Sequence, residues 1–201
     1  MFKKTFLWAF DLYKKRNMEQ YYLQGRSWGR KGHDEDVVRA MNLVSDRHYV
    51  RCLDVGAGLG HYSEIAANIC DDVVATDLSS TAIKQAQHRL HHVKNIQFEV
   101  KNLRDINASW GTFDLIILAE VLYYLGDQRF PAEFKELLKR ITDLVQEKGR
   151  VLLVNYVSPG RNEKQLQSYV NEFIKTGLFL EKNETITTAG GKKFLAAVLR
   201  K

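Results

Sequence analysis

The stretch "RCLDVGAGLGHYSEIAA", residues 51–67, decides the fold. An apolar run ends at Val55, glycines follow at Gly56, Gly58 and Gly60, and an amphipathic run begins beyond them, so the segment reads as strand, tight turn and helix. A turn built almost without side chains lets backbone come close to a ligand. On either side the same grammar repeats. Short, nearly continuous apolar runs at 50–55, 73–76, 96–100, 113–118 and 150–155 have the length and character of strands buried on both faces. Between them lie segments of helical period: 62–70, then "SSTAIKQAQHRL" with Ser79 as N-cap, then 131–147 with Pro131 in the first turn. A further helix is expected over 162–176, ended by Gly177, and "HDEDVVRAMNLVSD" supplies one ahead of the sheet. Alternating strands and helices of this kind build a doubly wound, mostly parallel sheet with helices on both faces. At the C-terminus the rhythm changes: 178–186 and 193–199 are two strands with no room for a helix between them, which predicts an antiparallel hairpin at one edge.

The bulk properties agree with one domain. The chain has 201 residues, 45% of them hydrophobic, enough for one sizeable core and too few for two. The two cysteines, Cys52 and Cys70, form neither a disulfide framework nor a metal-ligand spacing, so a reducing, cytoplasmic setting and no metal are expected. The apolar stretch 5–10 is too short for a signal-peptide core, and nothing reaches the length of a membrane span. The net charge of +6 is unevenly placed: residues 1–31 carry eight Lys/Arg and two Asp/Glu, while 32–201 carry 22 of each. This basic arm is also aromatic, with Tyr21, Tyr22 and Trp28 among its rings. It reads either as an amphipathic helix covering the domain or as a surface for an anionic or ring-bearing partner.

The glycine spacing excludes two ligands. A dinucleotide fingerprint needs its third glycine at position 61, where His61 stands, and a phosphate loop needs a Gly-Lys-Ser/Thr that does not follow. The companions point to a ribose and an adenine without a pyrophosphate. Asp77 closes the second strand, where a carboxylate accepts from both ribose hydroxyls, and Asn102 with Leu103 follows the third strand, in reach of an adenine. Asp54, beside the turn, either anchors the loop backbone or accepts from the far end of the ligand.

With "LDVGAGLG", "VVATDLS", "FEVKNLRDI", "FDLIILAEVLYYL" and the closing hairpin, the sequence resembles the class I S-adenosylmethionine-dependent methyltransferases over roughly residues 35–199. The block "AEVLYYL", residues 119–125, is in addition similar to the nodulation-type N-methyltransferases, which act on the free amine of a deacetylated chitooligosaccharide. The resemblance implies a Rossmann-like, seven-stranded sheet, with S-adenosylmethionine as cofactor and S-adenosylhomocysteine as its product. It assigns Gly56, Gly58 and Gly60 to the methionine side, Asp77 and Leu78 to the ribose, Asn102 and Leu103 to the adenine, and Ala119 to the wall near the sulfonium. Asn102 departs from the Asp more usual there, which leaves that contact uncharged. The implied division is an arm or lid over residues 1–34 and a methyltransferase domain over 35–201.

The implied chemistry needs alignment more than machinery. An amine must arrive neutral, so a nearby proton acceptor helps; Glu120, just past the fourth strand, is the first candidate, with His33 and His61 behind it. Each also has a bland reading as a surface or packing residue. Tyr123 and Tyr124, with Tyr21, Tyr22 and Trp28 if the arm folds over the site, are expected to line the substrate pocket. The expected acceptor is a small-molecule amine or hydroxyl, an amino sugar among them. RNA or protein methylation is the alternative that the basic arm favours, but the Asn/Asp-Pro-Pro-aromatic block of base methylases and a Pro-Cys nucleophile are both absent after the fourth strand. A non-catalytic cofactor-binding module is the third reading.

Overall fold

The computed structural model describes residues 2–25, 35–125, 129–158 and 163–201. Its centre is a seven-stranded sheet in the order β3-β2-β1-β4-β5-β7-β6, formed by β1 (Tyr49–Val55), β2 (Cys70–Asp77), β3 (Ile96–Val100), β4 (Phe113–Ala119), β5 (Val145–Tyr156), β6 (Phe179–Thr187) and β7 (Lys193–Arg200). The first five strands pair in parallel, and β7 lies antiparallel between β5 and β6. The helices are α1 (Phe2–Leu23), α2 (Glu35–Asn42), α3 (His61–Ala66), α4 (Ser80–Arg89), α5 (Pro131–Asp143) and α6 (Glu163–Lys175). Alternate residues of the central strands feed two cores. Ile116 and Leu118 join the apolar faces of α5 and α6, while Leu115 and Ile117 join Ala40, Met41 and Ala66 of α2 and α3.

Two boundaries differ from the sequence reading. The helix expected over 62–70 stops at Ala66, and Cys70 already stands in β2 opposite Tyr49. Nothing in the apolar pattern of Ile65, Ala66 and Ile69 separates a last helical turn from a strand entry; parallel pairing to β1 decides it. Likewise the helix expected to run to 147 ends at Asp143, because Val145 pairs with Phe113 and opens β5. Lys148 then takes a left-handed φ of 64°, and the β4/β5 register shifts between Phe113 and Leu115. Short 3₁₀ turns at Leu103–Asp105, Ala108–Trp110 and Leu122–Leu125, which the sequence reading lacked, follow β3 and β4.

This strand order places the site. The chain winds from β1 toward β3 on one side and from β4 toward β7 on the other, so order reverses between β1 and β4 and a crevice opens at their carboxyl ends. A Cβ added to Gly56, after β1, would lie 3.0 Å from Val121 Cγ2, after β4, so the two connections meet across that point.

At the opposite end of the strands, the buried guanidinium of Arg150 in β5 holds three elements together. It donates to Asp46 at 2.5 and 3.1 Å, to the Tyr49 hydroxyl at 3.1 Å and to both oxygens of Glu181 in β6. Arg150→Ala leaves Glu181 without its buried partner and removes the buried stem, while the Tyr49 hydroxyl keeps its bond to Val44 O and Asp46 is half in solvent, so unfolding in urea is expected to show a loss of about 2–4 kcal/mol. A loss below about 0.5 kcal/mol contradicts this role.

Candidate active site

The crevice between β1 and β4 is a cavity of about 550 Å³. Its floor is the turn Gly56–Leu59, one end is Thr76 to Leu78 with Asn102 and Leu103, and the other end is Ala119 to Val121, Tyr123, Tyr156 and Phe194. The turn backbone is left-handed at Gly56 and Gly58, with φ of 71° and 55°. A Cβ on Gly58 would fall 2.9 Å from the Tyr22 hydroxyl, so only glycine fits between the turn and the helix above it.

Asp77 ties this floor to the next turn. One carboxylate oxygen accepts from the Gly58 N–H at 3.0 Å and the other from the Ser79 N–H at 2.8 Å. Burial pushes its carboxyl above the usual range, and the two N–H bonds pull it back. Ser79 caps α4 through its hydroxyl, which accepts from Ala82 N–H at 3.1 Å.

The roof of the site is α1. Glu19 reaches the N-terminus of α4, where its carboxylate accepts from Ser80 N–H at 2.6 Å, Thr81 N–H at 3.2 Å and the Ser79 hydroxyl at 3.0 Å. Burial acts to raise this carboxyl, but the hydrogen bonds from Thr81, Ser80 and Ser79 hold it down at about 2. Farther along, Asp11 pairs with the buried Arg104 at 2.6 Å, and Arg104 also donates to Leu125 O. Tyr22, 4% exposed, lies over Gly58; burial and the Asp77 charge push its phenol up. Asp11, Lys14, Met18 and Tyr22 thus form the α1 wall of the cavity.

At the β4 end, Glu120 carries a left-handed φ of 58°, rare for a residue with a side chain. Its carboxylate accepts from the Tyr156 N–H and, at 2.6 Å, from the Tyr123 hydroxyl. The hydroxyl of Tyr123 is thereby held at the cavity wall, with the Tyr124 ring 4.5 Å from its own.

The structure gathers most of the residues singled out from the sequence. Gly56, Gly58, Asp77, Leu78, Asn102, Leu103, Ala119, Glu120, Tyr123, Tyr124, Tyr22 and His61 all line the cavity. Three lie behind its wall. Asp54, fully buried beneath the turn, accepts from the Ser63 hydroxyl at 2.5 Å, so it anchors α3. Gly60 faces away, and a Cβ there would lie 2.9 Å from Leu90 Cδ1 of the α4 packing. Tyr21 stacks edge-on against Tyr22, ring centroids 5.5 Å apart, outside the cavity. Asn102 lines the cavity, but its side-chain oxygen already accepts from Arg104 N–H at 3.1 Å as the cap of a 3₁₀ turn. His33 and Trp28 lie outside the described residues. Asp36, Tyr62, Tyr156 and Lys192 also line the cavity and were not foreseen. Tyr156 was within reach of the sequence, since it ends the apolar run of β5 at the carboxyl edge; the others come together only through packing of α2, α3 and the β6–β7 turn.

The sequence model described as a methyltransferase domain matches residues 52–149. The matched region, just under half of the chain, is a methyltransferase domain. Nodulation protein S of Rhizobium tropici is 28% identical to this chain over 109 residues, 54% of the chain and 44% of that protein. The chain spans less than half the length of the curated relatives it matches first. Among solved structures, N-methyltransferase NodS from Bradyrhizobium japonicum WM9, in complex with S-adenosylhomocysteine, superposes with a TM-score of 0.70 at 18% identity, covering 83% of this chain and 86% of that one. The 1,6-didemethyltoxoflavin-N1-methyltransferase of Burkholderia thailandensis gives 0.74 at 18% identity, covering 96% and 88%. These likenesses show that the methyltransferase domain shares their fold.

Under the glycine turn of the domain, burial raises the Asp54 carboxyl to about 7. The folded protein therefore keeps that proton up to about pH 7, while the unfolded chain sheds it near the ordinary carboxylate value. Folding binds the proton in this window, so stability falls as pH rises from about 4 to 7. Asp54→Asn keeps an acceptor for Ser63 and removes the charge, and urea midpoints at pH 5 and pH 8 should lose a difference on the order of 3 kcal/mol. Equal pH slopes for the variant and the parent contradict it.

Proposed function

We propose that this chain transfers the methyl group of S-adenosylmethionine to the nitrogen of a small amine. The observation that carries the reading is the continuity of one cavity from Asp77 and the glycine turn to Glu120 and Tyr123. Its volume, about 550 Å³, lies within the ordinary range for a small-ligand site. The fit rests on the left-handed, side-chain-free turn at Gly56 and Gly58 and on the carboxylate of Asp77 beside it. Each Asp77 oxygen keeps a second lone pair for a ribose hydroxyl. Leu103, Leu78 and Asn102 would flank the adenine, Gly56 and Gly58 the methionine end, and Ala119 the sulfonium. When bound, the cofactor supplies an electrophilic methyl group on a sulfonium. The chain's own residues align the acceptor, exclude water and hold a proton.

An amine is favoured over other acceptors by the carboxylates of Asp36 and Glu120 and by the aromatic residues Tyr62, Tyr123 and Tyr156, all of which line the cavity. Both solved structures named above are of N-methyltransferases, in keeping with that choice. Of the arm over residues 1–34, α1 acts as a lid latched at Glu19 and at Asp11, and residues 35–201 are the methyltransferase domain proper.

Incubation with methyl-labelled cofactor and a panel of phosphoethanolamine, glucosamine, a catechol and total RNA tests the reading. Label is expected in an amine product identified by mass. Label only in the catechol makes the acceptor a hydroxyl, and label only in RNA overturns the small-molecule assignment. Asp77→Ala is expected to weaken S-adenosylhomocysteine binding by about 1.5–3 kcal/mol, measured by calorimetry, without unfolding the domain. For the latch, Glu19→Gln weakens three hydrogen bonds at the α4 N-terminus, and stopped-flow fluorescence should show S-adenosylhomocysteine leaving about three- to tenfold faster. An unchanged release rate removes α1 from control of the cavity.

A further inference from the structure

Glu120 is not presented to the cavity as a bare carboxylate. One oxygen accepts from the Tyr156 backbone N–H and the other from the Tyr123 hydroxyl at 2.6 Å. The contacts come at the cost of a left-handed backbone at a glutamate, φ 58°, a conformation that persists only where surroundings impose it and that collects at functional sites. The Tyr156 N–H comes from the end of β5 and the backbone N–H of Glu120 itself donates to Val154 O, so the carboxylate is fixed from β4 and β5 together. Tyr123 sits in the Leu122–Leu125 turn, whose last carbonyl is held by Arg104. The hydroxyl therefore has a determined direction: its one proton goes to Glu120, and what it offers the cavity is lone pairs.

Resting on the amine reading of the site, we propose that Tyr123 is a catalytic residue, the group that touches the amine, and that Tyr123 and Glu120 form a relay that removes the proton an ammonium substrate carries. In the step, an N–H bond of the ammonium breaks and its electron pair stays on nitrogen. The proton goes to Tyr123 Oη as the phenolic proton passes to Glu120 Oε2. Ammonium and carboxylate become amine and carboxylic acid, tyrosine ends as it began, and the nitrogen lone pair is free for the methyl group. In water such a transfer runs uphill; in a closed cavity the charged pair loses its hydration, which favours the neutral pair. Other charges share the chamber. Asp36 from α2 disfavours a charged Glu120, while Lys192 from the β6–β7 turn and Lys14 from α1, 5.3 Å from the Tyr124 ring centre, favour it. His61 and Tyr62 from α3 face the same space. The relay explains why a tyrosine stands three residues after Glu120, in hydrogen-bond reach of its carboxylate, and it selects acceptors bearing N–H.

The test uses the full chain with Glu120→Gln and Tyr123→Phe, and with phosphoethanolamine and glucosamine as probes. The Gln side chain keeps an acceptor for Tyr156 N–H, so the brace survives while the proton sink is lost. With S-adenosylhomocysteine bound, calorimetry should show at least one amine binding to the parent protein and about tenfold or more weaker binding to each variant, with S-adenosylhomocysteine affinity within about twofold. Turnover should fall about a hundredfold or more. The parent's rate should level off well below the pKa of the free amine, whereas each variant's should climb about tenfold per pH unit until that pKa is reached. A merely structural pair would lower the rate without moving that profile. Superimposable profiles and unaltered amine binding overturn the relay alone. Failure of both amines to bind the parent protein, with S-adenosylhomocysteine bound normally, overturns the amine reading and the relay together.

Discussion

The carboxylate of Asp77 is the point on which the rest of the site depends. A parallel sheet delivers two strand ends side by side; in the turn after β1 the N–H groups of Gly56 and Ala57 still donate to Thr76 O of β2, whereas that of Gly58 lies beyond the strand. Asp77 accepts from Gly58 in the first turn and from Ser79 in the second, and so fixes the floor of the cavity relative to the start of α4. Within that floor position 58 is glycine, with a left-handed φ of 55° and the Tyr22 hydroxyl 2.9 Å from where a Cβ would stand. The same carboxylate is the group that the proposed ribose would meet, so one residue sets the shape of the site and offers its principal contact.

From this floor the enclosure is built by charge placement. The arm's excess of basic residues is uneven in a second sense, within the helix itself. Asp11 and Glu19, its two acidic residues, both turn inward, one to Arg104 and one to the N-terminus of α4. Lys15 and Arg16 stay exposed. The charge pattern thus orients α1 about its own axis and sets Met18 and Tyr22 over the cavity. At the other end, Glu120 plays the corresponding part, joining β4, β5 and the following turn through Tyr156 and Tyr123. Ion pairs and charge-assisted hydrogen bonds close a cavity whose walls mix apolar and aromatic side chains with the charged Lys14, Asp36, Lys101 and Lys192.

Much of this was legible in the sequence because parallel sheets announce themselves locally. Short apolar runs, a glycine turn and a terminal pair of strands without a helix between them fixed the strand count and the edge hairpin, and the carboxyl ends of those runs marked Asp77, Asn102, Ala119 and Glu120. Boundaries failed where one residue satisfies two patterns: Val145 continues the apolar stripe of α5 and also pairs with Phe113 in the sheet. Asp54 and Gly60 fall in the right motif, yet the pleat turns Asp54 under the floor and the helix start turns Gly60 toward Leu90. Asp36 and Lys192 were invisible because no local pattern reports which side chains packing brings together from distant segments. Glu19 was legible only as a charge; its use as a clamp depends on where α1 lands.

The most direct test of the central claim is a crystal structure of the chain with S-adenosylhomocysteine. The account predicts both ribose hydroxyls within hydrogen-bond distance of the Asp77 carboxylate, the adenine against Leu103 and the sulfur at Ala119, facing Tyr123. A nucleoside bound anywhere else, or a crevice between β1 and β4 that stays closed at saturating ligand, contradicts it.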